Sequence, residues 1–321
     1  MTEKLLVVNN LKKYFKTDEG IVKAVDGISF HVDVGETFGL VGESGSGKST
    51  TAFAIMGVYP PTGGEIVFKG QQISLTKVTK RPKSLKREMQ MVFQDPGTSL
   101  NPKLTIKQIL ESPLRIHTDI KKEDVTSGVV KLLERVGLPE EYMERNPEAI
   151  GGGEKQLVGI ARALATNPSF IALDEPTSAL DVSMQGKIIN TLMRIQKESE
   201  LSYLFITHDL SVMRNVASRV GIMYLGKLFE VAPTSDFFYK PLHPYTKMLL
   251  SSIPVVTDEE EKIKPAKVVS RGEIPSPVNV PSGCYFHPRC IDCMDACMKN
   301  EPPMFEVEPG HIVKCHLFSD R

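Results

Sequence analysis

The sequence predicts an α/β protein with a mainly parallel core sheet, followed by a small cysteine-bearing module. Three observations carry this. Short apolar runs of strand character alternate with stretches of helical period. Gly42-Glu43-Ser44-Gly45-Ser46-Gly47-Lys48-Ser49 stands between one such run and one such stretch. All five cysteines fall between Cys284 and Cys315.

In chain order, residues 5–8 and 28–34 alternate apolar and polar side chains and read as strands. Residues 37–41 are a short apolar run that stops at Gly42, as a buried strand does. Residues 50–56 have helical composition, and Pro60-Pro61-Thr62-Gly63-Gly64 is a turn cluster ahead of a strand at 65–68. Residues 104–166 follow a helical period, punctuated at Pro139, Pro147 and the glycines 151–153. Residues 170–173 and 204–207 are further buried strands, linked through a helical stretch at 184–200. Residues 257–264 form a charged run that reads as an exposed linker. Beyond it lie eight prolines, every cysteine and little periodicity, too little for a large core.

Composition excludes several classes. At about 150 residues per domain, 321 residues suggest about two domains, or one with an appendage. Lys+Arg and Asp+Glu balance at 39 each, against a protein that coats nucleic acid or an anionic membrane. Hydrophobic and charged fractions of 41% and 24% exclude a disordered chain. No apolar run approaches the roughly 20 residues of a membrane span, and residues 1–8 lack a signal-peptide core. The expectation is a cytosolic globular protein that meets a membrane only through a partner.

The segment from Gly42 to Ser49 fits G-x-x-x-x-G-K-[ST] after a strand and before a helix. Its glycines let backbone N–H groups turn inward on phosphate oxygens, and the helix dipole adds to that field. Lys48 would reach the β- and γ-phosphates, and the Ser49 hydroxyl would bind Mg²⁺. Gly42, Ser44, Gly45, Ser46, Gly47 and Thr50 complete this set of nucleotide-binding candidates. A triphosphate site also needs an acid for the metal and a base for water. Asp174 and Glu175, at the end of the run 170–173, supply them: Asp174 for Mg²⁺ and Glu175 to polarise the attacking water.

These residues, taken in order, resemble the ATP-binding subunits of ABC transporters. The resemblance covers nearly the whole chain. It implies a P-loop NTPase fold of the ABC type over residues 1–255, with a helical subdomain at about 96–165 and an antiparallel β portion near the N-terminus. It also implies that Gln94 belongs to the Q-loop, touching Mg²⁺, and that Ser178-Ala179-Leu180-Asp181 is the D-loop. His208 looks like the switch histidine at the γ-phosphate, and Phe15, beside Tyr14, like the aromatic that stacks on adenine. Lys48, Glu175 and His208 would be the catalytic residues.

QDPGTSLNP at 94–102, PLHPYTKMLLSSIP at 241–254 and GCYFHPRC at 283–290 narrow the resemblance to the oligopeptide and dipeptide importers. Residues 256–321 would be that family's C-terminal extension. The resemblance implies two transmembrane permease subunits, a second ATPase and an extracytoplasmic solute-binding protein. The ATPase would sit on the cytoplasmic face of the membrane. Related importers carry nickel or oligosaccharides, so a non-peptide solute stays open. A soluble ABC ATPase is the rival from another class; one P-loop, no sustained heptads and zero net charge speak against it and against nucleic acid.

One motif departs from the family. The family's S-G-G-Q signature is here Gly151-Gly152-Gly153-Glu154. In the family this loop caps the ATP held by the opposite subunit. Serine to glycine costs a helix cap only a few tenths of a kcal/mol. A lost bond to phosphate costs about 1.5–3 kcal/mol, and a carboxylate at 154 adds repulsion. The expectation is an asymmetric ATPase heterodimer with one degenerate site. The run from Lys77 to Arg87, with Lys80, Arg81, Lys83 and Lys86, reads as a solvated face.

Cysteines clustered in a cytosolic chain read as a metal or cluster site before disulfides. By spacing alone, Cys290, Cys293 and Cys297 resemble a compact iron–sulfur ligand run. The family resemblance points to Cys284, Cys290, Cys297 and Cys315 instead, with Cys293 an extra. Four thiolates suit a [4Fe–4S] cluster or structural Zn²⁺, and the resemblance favours the cluster. His287, His311 and His316 are alternative ligands.

Overall fold

The structure, a computed structural model, describes residues 3–74, 78–178, 180–253, 265–268 and 272–319. The charged run at 257–264, Lys77 and Ala179 lie outside the described residues. The chain forms two compact units that do not follow chain order. One takes mainly residues 76–206, and the other takes 4–31, 37–75 and 207–321.

In the second unit, β1 (Lys4–Thr17), β2 (Gly20–Asp33), β4 (Gly63–Phe68) and β5 (Gln71–Gln72) form a sheet in the order β2-β1-β4-β5. This is the expected antiparallel portion. β1 pairs antiparallel with β4, Val7 opposite Val67. Both long strands run well past the apolar segments legible in sequence, because one face of each is solvated and polar. β3 (Thr37–Val41) is fully buried and leads into α1 (Lys48–Ile55). It pairs parallel with β9 (Arg219–Tyr224), Val41 opposite Ile222. β9 turns back at Leu225 and Gly226, with φ of 43° and 82°, into antiparallel β10 (Lys227–Pro233).

The first unit holds three parallel strands, β6 (Met89–Val92), β7 (Phe170–Asp174) and β8 (Ser202–Thr207). α2 (Lys83–Glu88) precedes them. Between β6 and β7 lie α3 (Pro96–Ser99), α4 (Ile106–His117), α5 (Val125–Arg135) and α6 (Gly152–Leu164). α4 opens with a reciprocal Thr105–Gln108 capping box and buries Ile106, Ile109, Leu110 and Leu114 at helical spacing. α5 does the same with Val125, Val129, Leu132 and Leu133. α7 (Val182–Ser199) joins β7 to β8. Arg81 corrects the reading of a solvated face: it is buried, and burial lowers its guanidinium pKa to about 10.

After β8 come α8 (Leu210–Val216), α9 (Thr234–Tyr239) and α10 (Pro244–Ser251) in the second unit. The cysteine segment holds α11 (Asp295–Lys299) and the hairpin β11 (Phe305–Glu308)–β12 (His311–Val313). β12 pairs antiparallel with β10, Glu230 opposite Val313. The small core there is Val313, Cys315 and Phe318, backed by Leu242, Phe305 and Val307. This segment is therefore held in part by sheet pairing and by this small core.

Candidate nucleotide site and cysteine cluster

The loop 42–47 connects β3 to α1 and carries left-handed glycines: Gly42, Gly45 and Gly47 have φ of 149°, 77° and 106°. A Cβ at Gly42 would lie 2.1 Å from the Met223 carbonyl oxygen, and one at Gly47 2.1 Å from that of Ala24. Only glycine fits either cradle. Ser44 and Gly45 are exposed at the tip, whereas Lys48 and Ser46 are buried. The Lys48 ammonium donates to the Gly42 and Glu43 carbonyls at 2.8 and 2.9 Å. The Ser46 hydroxyl is buried without a hydrogen-bond partner, a polar atom left for a ligand. Ser49 and Thr50, half-buried, begin α1. Loop amides, a buried ammonium and a hydroxyl at a helix start make a polyphosphate cradle.

On β1, Phe15 is half-buried and meets Tyr59 edge to face, with centroids 5.4 Å apart. Lys13, two residues earlier on the same strand face, puts its ammonium 4.7 Å from the Phe15 ring. Tyr14 points the other way and donates to Asp26 Oδ1 at 2.5 Å. His208 is exposed between β8 and α8, whose N-cap is Asp209.

The first unit carries the remaining candidates. Asp174 ends β7 and is buried. Glu175 follows with φ of 46°, an unfavourable conformation for a residue with a Cβ. Its N–H donates to the Ile206 carbonyl at 2.9 Å, which sets the turn. Gln94 donates from Nε2 to Glu175 Oε2 at 3.1 Å, bringing together two residues 81 positions apart. Asp181 caps α7 by accepting from the Met184 N–H at 3.0 Å.

Gly151, Gly152 and Gly153 open α6. A Cβ on Gly153 would strike Met184 Cγ at 2.1 Å, so helix packing demands that glycine. Glu154 is held within this loop: its Oε2 accepts from the Gly151 N–H at 2.5 Å and its Oε1 from the Tyr142 hydroxyl at 2.9 Å. That bond and burial raise the Tyr142 pKa. The Gly151 N–H is likewise engaged inside the loop. Sequence held the signal, since a glutamate three residues after a helix N-cap is half a capping box.

Residues 25–178 match the family model described as ABC transporter, and residues 229–297 match that of the oligopeptide/dipeptide transporter C-terminal region. The chain is 46% identical to the oligopeptide transport ATP-binding protein AppF of Bacillus subtilis, over 99% of this chain and 98% of that protein. It belongs to the ATP-binding subunits of oligopeptide ABC transporters. OppF of the same organism is 45% identical over 98% of this chain and 97% of its own length. Among solved structures, the dimeric ATP-binding cassette MJ0796, in a post-hydrolysis state with ADP and phosphate, is similar. It has a TM-score of 0.64 and 28% identity, covering 71% of this chain and 98% of that one. This ATPase shares the ABC fold and hydrolyses ATP in the service of transport. No helix among its described residues is long and apolar enough to cross a membrane.

All five cysteines of the ATPase are thiols. Cys284, Cys290, Cys297 and Cys315 are buried, and Cys293 is exposed. Burial pushes Cys284 and Cys290 up to about 12 and Cys315 up to about 11. Cys297, Cys315 and Cys290 lie close enough to add to the upward shift at Cys284, after burial. The Cys284 N–H donates to the Cys297 carbonyl at 2.8 Å. One ring nitrogen of each candidate histidine is engaged: His287 Nδ1 with the Cys284 carbonyl, His316 Nε2 with that of Asn300, and His311 Nε2 with Glu230 at 2.7 Å. Among the described residues, the set of three ligand atoms mutually within 4.8 Å is Asp236, Glu308 and His311, not a cysteine triple.

Proposed function

We propose that this ATPase powers uptake of oligopeptides or dipeptides through a membrane permease, at whose cytoplasmic face it sits. The observation that carries the solute class is the match of residues 229–297 to the C-terminal region of oligopeptide/dipeptide transporters. In this reading the amides of the loop 42–47 and Lys48 grip the phosphates, and Phe15 stacks on adenine. Ser49, Gln94 and Asp174 would hold Mg²⁺, which offsets phosphate charge. Glu175 polarises the attacking water, and His208 contacts the γ-phosphate that departs as inorganic phosphate. Asp181 fixes the D-loop by capping α7. Deleting the chain from its host should abolish uptake of labelled peptides, and mild detergent extraction should recover it with two permeases and a second ATPase. Normal peptide uptake in the deletion strain would refute the solute class.

The degenerate-site reading rests on Gly151, which has no hydroxyl, and on a Gly151 N–H already engaged by Glu154. A Cβ at 151 would come within 2.8 Å of Glu154 Oε2, so serine alone displaces that carboxylate. The double change Gly151→Ser with Glu154→Gln restores hydroxyl and reciprocal capping box together. It should raise ATP turnover of the assembled complex by about tenfold. Unchanged turnover removes the asymmetry.

The four buried cysteines suit a [4Fe–4S] cluster. Four thiolates would also hold a tetrahedral Zn²⁺, which is the alternative group. When bound, the cluster supplies cross-links among four chain segments. Anaerobic purification should give four irons and four sulfides per chain; one zinc and no iron would end the proposal.

A further inference from the structure

Glu43, the second residue of the phosphate-binding loop, is held at three points. Its carbonyl accepts from Lys48, and its N–H donates to the Tyr245 hydroxyl at 3.1 Å. Its carboxylate takes both arms of the Arg289 guanidinium, Nη1 to Oε2 at 2.7 Å and Nη2 to Oε1 at 3.0 Å. Arg289 lies one residue before Cys290, far from the loop in sequence. It is 6% exposed, and its guanidinium packs 5.6 Å from the Tyr224 ring centroid and 5.8 Å from that of Phe286. Burial opposes its charge, but the Glu43 carboxylate and the Tyr224 side chain together hold its pKa above the ordinary arginine value.

The same segment makes a second tie. Tyr285 donates to Asp26 Oδ2 at 3.0 Å, and Asp26 also accepts from Tyr14, the neighbour of Phe15 on β1. Lys227 pairs with Asp26 at 3.0 Å and with Glu301 at 2.8 Å. Exposed single ion pairs contribute almost nothing. A bidentate pair with its guanidinium buried and its carboxylate half-buried fixes both position and orientation.

A carboxylate inside a polyphosphate-binding loop repels its ligand unless a cation offsets it. We propose that Arg289 is a positioning residue for the nucleotide site: it neutralises Glu43 and fixes the loop that presents Lys48. The cysteine-bearing segment thereby contributes to ATP affinity without touching ATP. This needs only the nucleotide site, and holds whatever the cysteines bind.

The test is a double-mutant cycle on the full-length chain, read by equilibrium titration with trinitrophenyl-ATP and Mg²⁺. Arg289→Met should weaken binding by about tenfold, and R289K, which keeps charge without the fork, by about threefold. In an E43Q background, where no carboxylate needs offsetting, R289M should change affinity less than about twofold. Equal losses in both backgrounds would mean that Arg289 acts through the stability of its own segment, and would overturn the proposal. No loss in the wild-type background would overturn it too. If R289M fails to fold, the R289K/E43Q cycle decides by the same criterion.

Discussion

Replacing Glu175 with glutamine should leave ATP binding intact and lower turnover by about 10²–10⁴-fold, the usual contribution of a positioned general base. The substitution isolates the base because little else changes. Glutamine has the same shape, and its amide oxygen still accepts from Gln94 Nε2, now 3.1 Å from Glu175 Oε2. The turn is set by the main chain, through the Glu175 N–H on the Ile206 carbonyl, and does not depend on the side-chain charge. Equilibrium nucleotide binding and single-turnover hydrolysis, measured on the same preparation, separate the two effects. A fall of less than tenfold would assign water activation to another group.

Gly47→Ala should cost about 2–6 kcal/mol of stability, combining left-handed strain with a forced backbone displacement. The new Cβ would sit 2.1 Å from the Ala24 carbonyl and 3.0 Å from Met223 Cε, at a φ of 106°. A backbone carbonyl cannot rotate away as a side chain can. The loop must move, and nucleotide binding should be lost even where the protein still folds. Gly45→Ala is the control: its φ is 77°, but no atom lies within 4 Å of its Cβ, so only the strain remains, about 1–3 kcal/mol. Chemical denaturation of both variants reads the difference; equal costs would show that the Ala24 contact yields easily.

Much of the nucleotide site was legible because its chemistry is local. The residues from Gly42 to Ser49 and from Phe170 to Glu175 are contiguous, and strand–loop–helix order places them. Gln94, Asp181 and His208 emerged only through resemblance to a family, since no local pattern marks one glutamine or histidine. The strands β9 and β10 escaped notice because both are buried on both faces, with no alternation, and their turn is a Leu-Gly rather than an Asn-Gly pair. The hairpin of β11 and β12 carried a Pro309-Gly310 signal but sat within a segment that proline content made look irregular. The bond of Glu154 to the Gly151 N–H was half legible, since a glutamate three residues after a helix N-cap is a capping-box position. The Arg289–Glu43 pair is long-range, and nothing in either local sequence announces the other.

The pairing of β12 with β10 also has a consequence for synthesis. Val313 leaves the ribosome about 80 residues after its partner Glu230. At about 5–20 residues per second that is a wait of about 4–16 s. Until then one side of β10 shows unpaired main-chain groups, the template on which chains aggregate. Glu230, wholly buried, meanwhile lacks His311, one of three groups that satisfy its carboxylate in the finished fold. A ribosome stalled inside the cysteine segment would therefore hold out a nearly complete cassette with an open, sticky edge.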